Sequence, residues 1–146
     1  MQRQSQDAAL LQEVYHSACM GERGMEIMLE KSKDGGLSEQ LDEFLEEYKE
    51  IKQEAAEQLF ARGEQPEDPS AMQNTAQWMG VQLGTLTDKS PSRMAEMLIE
   101  GSAQNMIKSI EDIKRGYNTQ SDTRTLAARL VSLENNSLSA MKTYLS

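Results

Sequence analysis

The chain has 146 residues, 38% apolar and 27% charged, a balance that fits one globular domain over residues 1–146 and excludes a disordered chain. Its formal net charge of −9 repels nucleic acid and anionic membrane surfaces, so neither is expected as a partner. A single cysteine, Cys19, leaves no intrachain disulfide and no cysteine-based zinc site.

The N-terminal stretch MQRQSQDAALLQEV is polar and has no apolar segment of the kind a signal peptide carries. No apolar run in the chain approaches the roughly 18 residues of a spanning helix. A cytoplasmic protein is the expectation. Leu11, Val14, Ala18, Gly21, Met25 and Met28 recur at three- and four-residue steps and predict a first helix from about Ser5 to Lys31. KDGGLS then breaks the pattern, with Gly35 and Gly36 suited to positive φ and Ser38 placed as the N-cap of the next helix. So short a connection implies an antiparallel neighbour.

The second helix is predicted from Leu37 or Ser38 to Arg62. Its seam is Leu41, Phe44, Leu45, Tyr48, Ile51, Ala55 and Leu59, and its other face is dense in Glu and Lys. Gly63, Pro66 and Pro69 stop it. A third segment from Ser70 to about Thr87 carries Met72, Ala76, Met79, Leu83 and Leu86, with Trp78 as a candidate cover or dimer contact. TDKSPS interrupts it, so a kink or break is expected near Asp88–Ser92, with Ser90 as N-cap and Pro91 in the first turn of the continuing helix. That helix runs to about Arg115 with a seam of Ala95, Leu98, Ile99, Ser102, Met106, Ile110 and Ile113. The last helix starts at Ser121 or Asp122 and reaches the C-terminus, with a stripe of Leu126, Leu130, Leu133, Met141 and Leu145. No strand pattern and no fixed-period repeat occurs. The predicted fold is all-α: an antiparallel four-helix bundle with a third helix kinked or broken near Asp88–Ser92. Aromatics are only 5% of the chain against 10 methionines, and the methionines fall at core spacing, so they read as core filler.

Polar residues interrupt the seams at Glu22, Tyr48, Ser102, Glu134 and Ser137. Glu22, Tyr48, Ser102 and Glu134 lie near the middle of their helices, so one buried polar layer is expected, with a hydrogen bond from Tyr48 or Ser102 to Glu134. The competing reading is a metal centre. Di-iron carboxylate bundles take one Glu from each of two helices and Glu-x-x-His from each of the other two. Here Glu22 stands for one single Glu and Ser102 for the other. Tyr48 and Ile51 stand for one Glu-x-x-His, and Glu134 and Ser137 for the other. Two carboxylates, Glu22 and Glu134, are kept and both histidines are gone, which reads as the remnant of a metal site. An off-seam site using Glu47, Glu50, Glu54 and Glu100 is the variant of this idea, for a hard divalent ion. His16, the only histidine, reads as a packed or surface residue, and no nucleophile elbow or phosphate-binding loop occurs, which disfavours a hydrolase, kinase or dinucleotide enzyme.

Several stretches resemble the bacterial ferritin-like four-helix-bundle proteins of unknown function. MGERGMEIML is similar to their first helix, and LDEFLEEYKEIKQEAAEQLFARGEQP to their second, ending Leu-x-x-x-Gly-x-x-Pro. QWMGVQL followed by AEMLIEGSAQNM is similar to their Trp-containing third helix and its Gly-Glu pair, which here is Gly101-Ser102. The resemblance implies a ferritin-like bundle. With the di-metal site depleted, the expected function is non-enzymatic: binding of a protein partner, or self-association as a homodimer, with no cofactor. The alternative is a metal-binding bundle or oxidoreductase that holds iron or manganese in an atypical carboxylate site.

Overall fold

A computed structural model of the chain describes residues 2–67, 86–115 and 119–145. Four helices and no strand occur among the described residues: α1 (Gln2–Lys31), α2 (Gly35–Ala61), α3 (Pro91–Arg115) and α4 (Ser121–Lys142). They pack as a four-helix bundle, with α1 laid along α2 and α3 along α4. The expected segment Ser70–Thr87 and Trp78 lie largely outside the described residues.

The ends of the helices follow local chemistry. Asp34, not Ser38, caps α2: its Oδ1 accepts from the Leu37 N–H at 2.8 Å. Helix therefore begins at Gly35, and neither Gly35 nor Gly36 takes positive φ. Ser38 instead lies inside the first turn, where its hydroxyl donates to Ser32 Oγ at 2.9 Å. Gly63 ends α2 with φ of 74°. The Gly63 N–H donates to Phe60 O and the Glu64 N–H to Leu59 O, the paired bonds that satisfy the last carbonyls of a helix. At α3 the expected cap forms: Ser90 Oγ accepts from the Arg93 N–H at 3.3 Å, and Pro91 opens the helix. Residues 86–90, just before it, are not helical.

Two residues distant in sequence secure the start of α4, where Gln120 provides no side-chain cap. Asp7 of α1, fully buried, accepts from the Gln120 N–H at 2.8 Å. Arg62, just past α2, donates to Gln120 Oε1 and Thr123 Oγ1 and pairs with Asp122 at 3.5 Å. The tail of α2 is held to α1 by Gln12, which donates to Gln65 O and accepts from the Glu67 N–H.

The core is the set of seams the spacing predicts for α1 and α2: Leu11, Val14, Ala18, Met25 and Met28 against Leu41, Phe44, Leu45, Tyr48, Ile51, Ala55 and Leu59. In α4, Leu126, Leu130, Leu133 and Met141 are buried, but the helix stops at Lys142 and Leu145 is 45% exposed. The α3 seam is corrected past Ser102. Met94, Ala95, Leu98, Ser102, Ser109 and Asp112 are buried, whereas Met106 and Ile113 are only partly so and Ile110 is exposed. Positions 95, 98, 102, 109 and 112 keep the 3.5-residue repeat of packed helices, while the apolar residues drift round the helix at a longer step. Asp112 is tolerated inside because Lys108, at 3.0 Å, and Arg115 both pair with it.

Candidate functional site

The middle of the bundle carries the polar layer. Glu134 of α4 is completely buried among Leu130, Leu133 and Ser137 of its own helix stripe. Neither carboxyl oxygen has a hydrogen-bond partner. Burial is the main reason its pKa is pushed up to about 8, and Ser109 and Lys108 of α3 act in the opposite direction without reversing it. At neutral pH the side chain is therefore held mainly as the neutral acid. The expected hydrogen bond from Tyr48 or Ser102 to Glu134 does not form, because Ser102 donates instead to Ser137 Oγ at 3.4 Å. Two small hydroxyls on facing helices satisfy one another more cheaply than either stretches to the carboxyl.

Tyr48 is buried on α2, and a β-carbon on Gly21 of α1 would fall within its ring. Burial raises the Tyr48 pKa, and the nearby Glu134 and Glu47 raise it further. The phenol thus stays neutral and faces Glu134 electrostatically without bonding to it. Glu22, the other candidate carboxylate, is engaged elsewhere. It forms an ion pair with Lys52 of α2 at 2.6 Å, with Glu22 15% and Lys52 33% exposed. The bond to Glu22 raises the Lys52 pKa against the opposing effect of burial. Cys19 and Tyr15 lie in the field of this pair, and burial pushes the Cys19 thiol upward, away from the thiolate form a nucleophile needs.

The five residues singled out by the sequence therefore divide. Tyr48, Ser102, Glu134 and Ser137 are buried, and Glu22 lies at the α1–α2 edge in an ion pair. Glu47, Glu50, Glu54 and Glu100 are exposed, and Glu50 pairs with Arg129 of α4 at 2.6 Å. Among the described residues no group of three or more His, Cys, Asp or Glu side chains is placed to hold a metal ion. The donor set does not fit a di-iron or di-manganese cofactor: Glu134 faces a phenol and a serine, and Glu22 faces an ammonium. His16 packs edge-on to Tyr15 with ring centroids 6.3 Å apart.

Ser109 and Asp112 belong to the polar interior of α3 and are missed by apolar spacing alone. The available signal is the repeat from Ser102 to Ser109, and the cations at i−4 and i+3 around Asp112. Burial opposes the charge on Lys108, but its pairing with Glu13 and Asp112 outweighs that and raises its pKa.

Cavities adjoin this interior among the described residues. One, about 30 Å³, lies between α1 and α3 against Gly21, Tyr48, Met97, Gly101 and Ser102, and has room for a water-sized molecule rather than an organic cofactor. Another, about 180 Å³, opens near Gln6, Leu10, Glu13, Asp112 and Arg115, where acids and bases already neutralise one another. No described helix is long and apolar enough to cross a membrane. Comparison of the chain with protein-family models, with curated proteins and with solved structures finds no match.

Proposed function

We propose that this chain is a ferritin-like antiparallel bundle without a di-metal centre, located in the cytoplasm, that works by binding a protein partner or a second copy of itself. Support for the antiparallel arrangement comes from the short Ser32–Asp34 connection and from pairs whose numbers run in opposite directions, Gln12 with Gln65 and Glu22 with Lys52. The observation that carries the functional reading is on α3. It turns Ser109 and Asp112 inward and leaves Ile107 56% and Ile110 38% exposed. Apolar side chains turned to water on one helix face are what a protein-binding surface presents.

The alternative, an atypical iron or manganese site, draws on Glu134, a buried carboxyl with no partner. Metal analysis of protein purified without chelator separates the two, with Glu22→Ala and Glu134→Ala measured alongside. Substoichiometric metal in all three proteins is the expected result. Stoichiometric iron or manganese that is lost in both variants would overturn the reading.

A further inference from the structure

Two candidate inner faces run along α3, and they part at Gly101 and Ser102. Up to that point the helix has one buried stripe, Met94, Ala95, Leu98 and Ser102. Beyond it the buried positions are Ser109 and Asp112, while Met106 and Ile113 are partly buried and Ile110 is exposed. The two sets differ by one residue. A turn of about 100°, one residue of an α-helix, would bring Ile110 to the place of Ser109, Ile113 to that of Asp112 and Met106 to that of Asn105.

Neither face is satisfied. Among the described residues the polar one leaves the Ser109 hydroxyl without a partner. Ser109 lies against Glu134 of α4, whose two carboxyl oxygens have none either, and Ile110 is left 38% exposed. The apolar face would bury the isoleucines and return Asp112 to water, where Lys108 and Arg115 still reach it as i−4 and i+3 neighbours on the same helix. It would also set Glu134 against isoleucine in place of Ser109, which a carboxyl resists. Unsatisfied polar atoms on one side thus oppose apolar surface in water on the other.

Gly101 makes the step accessible. A β-carbon there would meet nothing within 4 Å among the described residues, so packing does not ask for glycine. Glycine instead supplies a helix interior that deforms readily, and Gly-Ser pairs and single-turn π-bulges are where helices kink or take in one extra residue. We propose that α3 beyond Gly101 is a two-state element, turning by one residue between a polar inner face of Ser109 and Asp112 and an apolar one of Ile110 and Ile113, and that Glu134 holds it in the polar state. Ile110 faces water only in that state, so the turn also governs part of the apolar surface on which the protein-binding reading rests. The packing of α3 is measured without any partner, so failure here leaves that reading standing.

Methyl NMR of the full chain, with labelled isoleucine δ1 groups and a soluble gadolinium chelate as the solvent probe, tests this. Ile51 of α2, fully buried, is the internal reference. In the wild type Ile110 and Ile113 are expected to show microsecond-to-millisecond exchange that Ile51 lacks. Gly101→Ala stiffens the junction and is expected to quench that exchange with Ile110 still exposed. Glu134→Leu removes the group that favours the polar face, so relaxation of the Ile110 methyl by the chelate is expected to fall severalfold, toward that of Ile51. An Ile110 as exposed in Glu134→Leu as in the wild type overturns the proposal. If that variant does not fold, Gly101→Ala decides: wild-type exchange at Ile110 and Ile113 that is missing, or that survives unchanged in Gly101→Ala, overturns it as well.

Discussion

The ring of Tyr48 on α2 fills the space that a β-carbon on Gly21 of α1 would occupy. Glycine costs a helix interior roughly 1 kcal/mol relative to alanine, so on local propensity alone Gly21→Ala is a stabilising change. Here it forces a fully buried ring to move. The expected outcome is a net loss of about 1–3 kcal/mol in chemical denaturation, the range for overpacking a close-packed site. In a Tyr48→Ala background the same substitution is expected to become neutral or favourable. A penalty that persists without the ring would show that something other than the Gly21–Tyr48 contact is responsible.

Glu134 makes stability depend on pH in a direction opposite to an ordinary paired carboxylate. Its folded pKa is raised from 4.5 to about 8, so between these values the folded state holds a proton that the unfolded chain has released. The stabilisation is complete below the unfolded pKa and is lost as pH rises through the folded one, at up to about 1.4 kcal/mol per pH unit. Glu134→Gln cannot release a proton and removes this slope. Unfolding free energies measured at intervals from pH 5 to pH 9 are expected to show the variant gaining on wild type as pH rises. Parallel curves for the two proteins would mean that Glu134 does not titrate in this range.

Asp7, in the second turn of α1, ties that helix to the N-cap residue of α4, far away in sequence. It is fully buried, and its Oδ1 accepts from the backbone N–H of Gln120 at 2.8 Å. Asp7→Ala is expected to cost about 1–2 kcal/mol, the magnitude for removing a buried partner from a helix N-terminus. Asp7→Asn keeps an acceptor in place and is expected to cost less. Equal losses for the two variants in urea denaturation would point to the charge rather than to the hydrogen bond.

Much of the bundle was legible in the residues. The seams of α1 and α2 could be read from apolar spacing because those helices have long uninterrupted stripes, and Gly63 and Ser90 act where turn chemistry places them. Asp34 took the capping role from Ser38 because its carboxylate reaches the Leu37 N–H, and either residue satisfies the sequence rule. The polar layer was legible as a set of residue types, and Tyr48, Ser102, Glu134 and Ser137 are indeed inside. Its bonding was not. Whether a serine bonds to a glutamate or to another serine depends on distances between helices, which no spacing within a helix contains.

The sequence by itself determined the four described helices and most of their buried faces, because helix formation and apolar periodicity are local. Only the tertiary structure decided the rotation of α3, where packing at a 3.5-residue repeat and the flanking cations Lys108 and Arg115 brought Asp112 inside and turned Ile107 and Ile110 toward water. It also decided that Glu22 and Glu134 have different partners. Glu22 meets an ammonium from α2 at the edge, and Glu134 remains a neutral acid in the core. A carboxylate's chemistry follows from what the neighbouring helices bring to it, and that is a property of the assembled bundle.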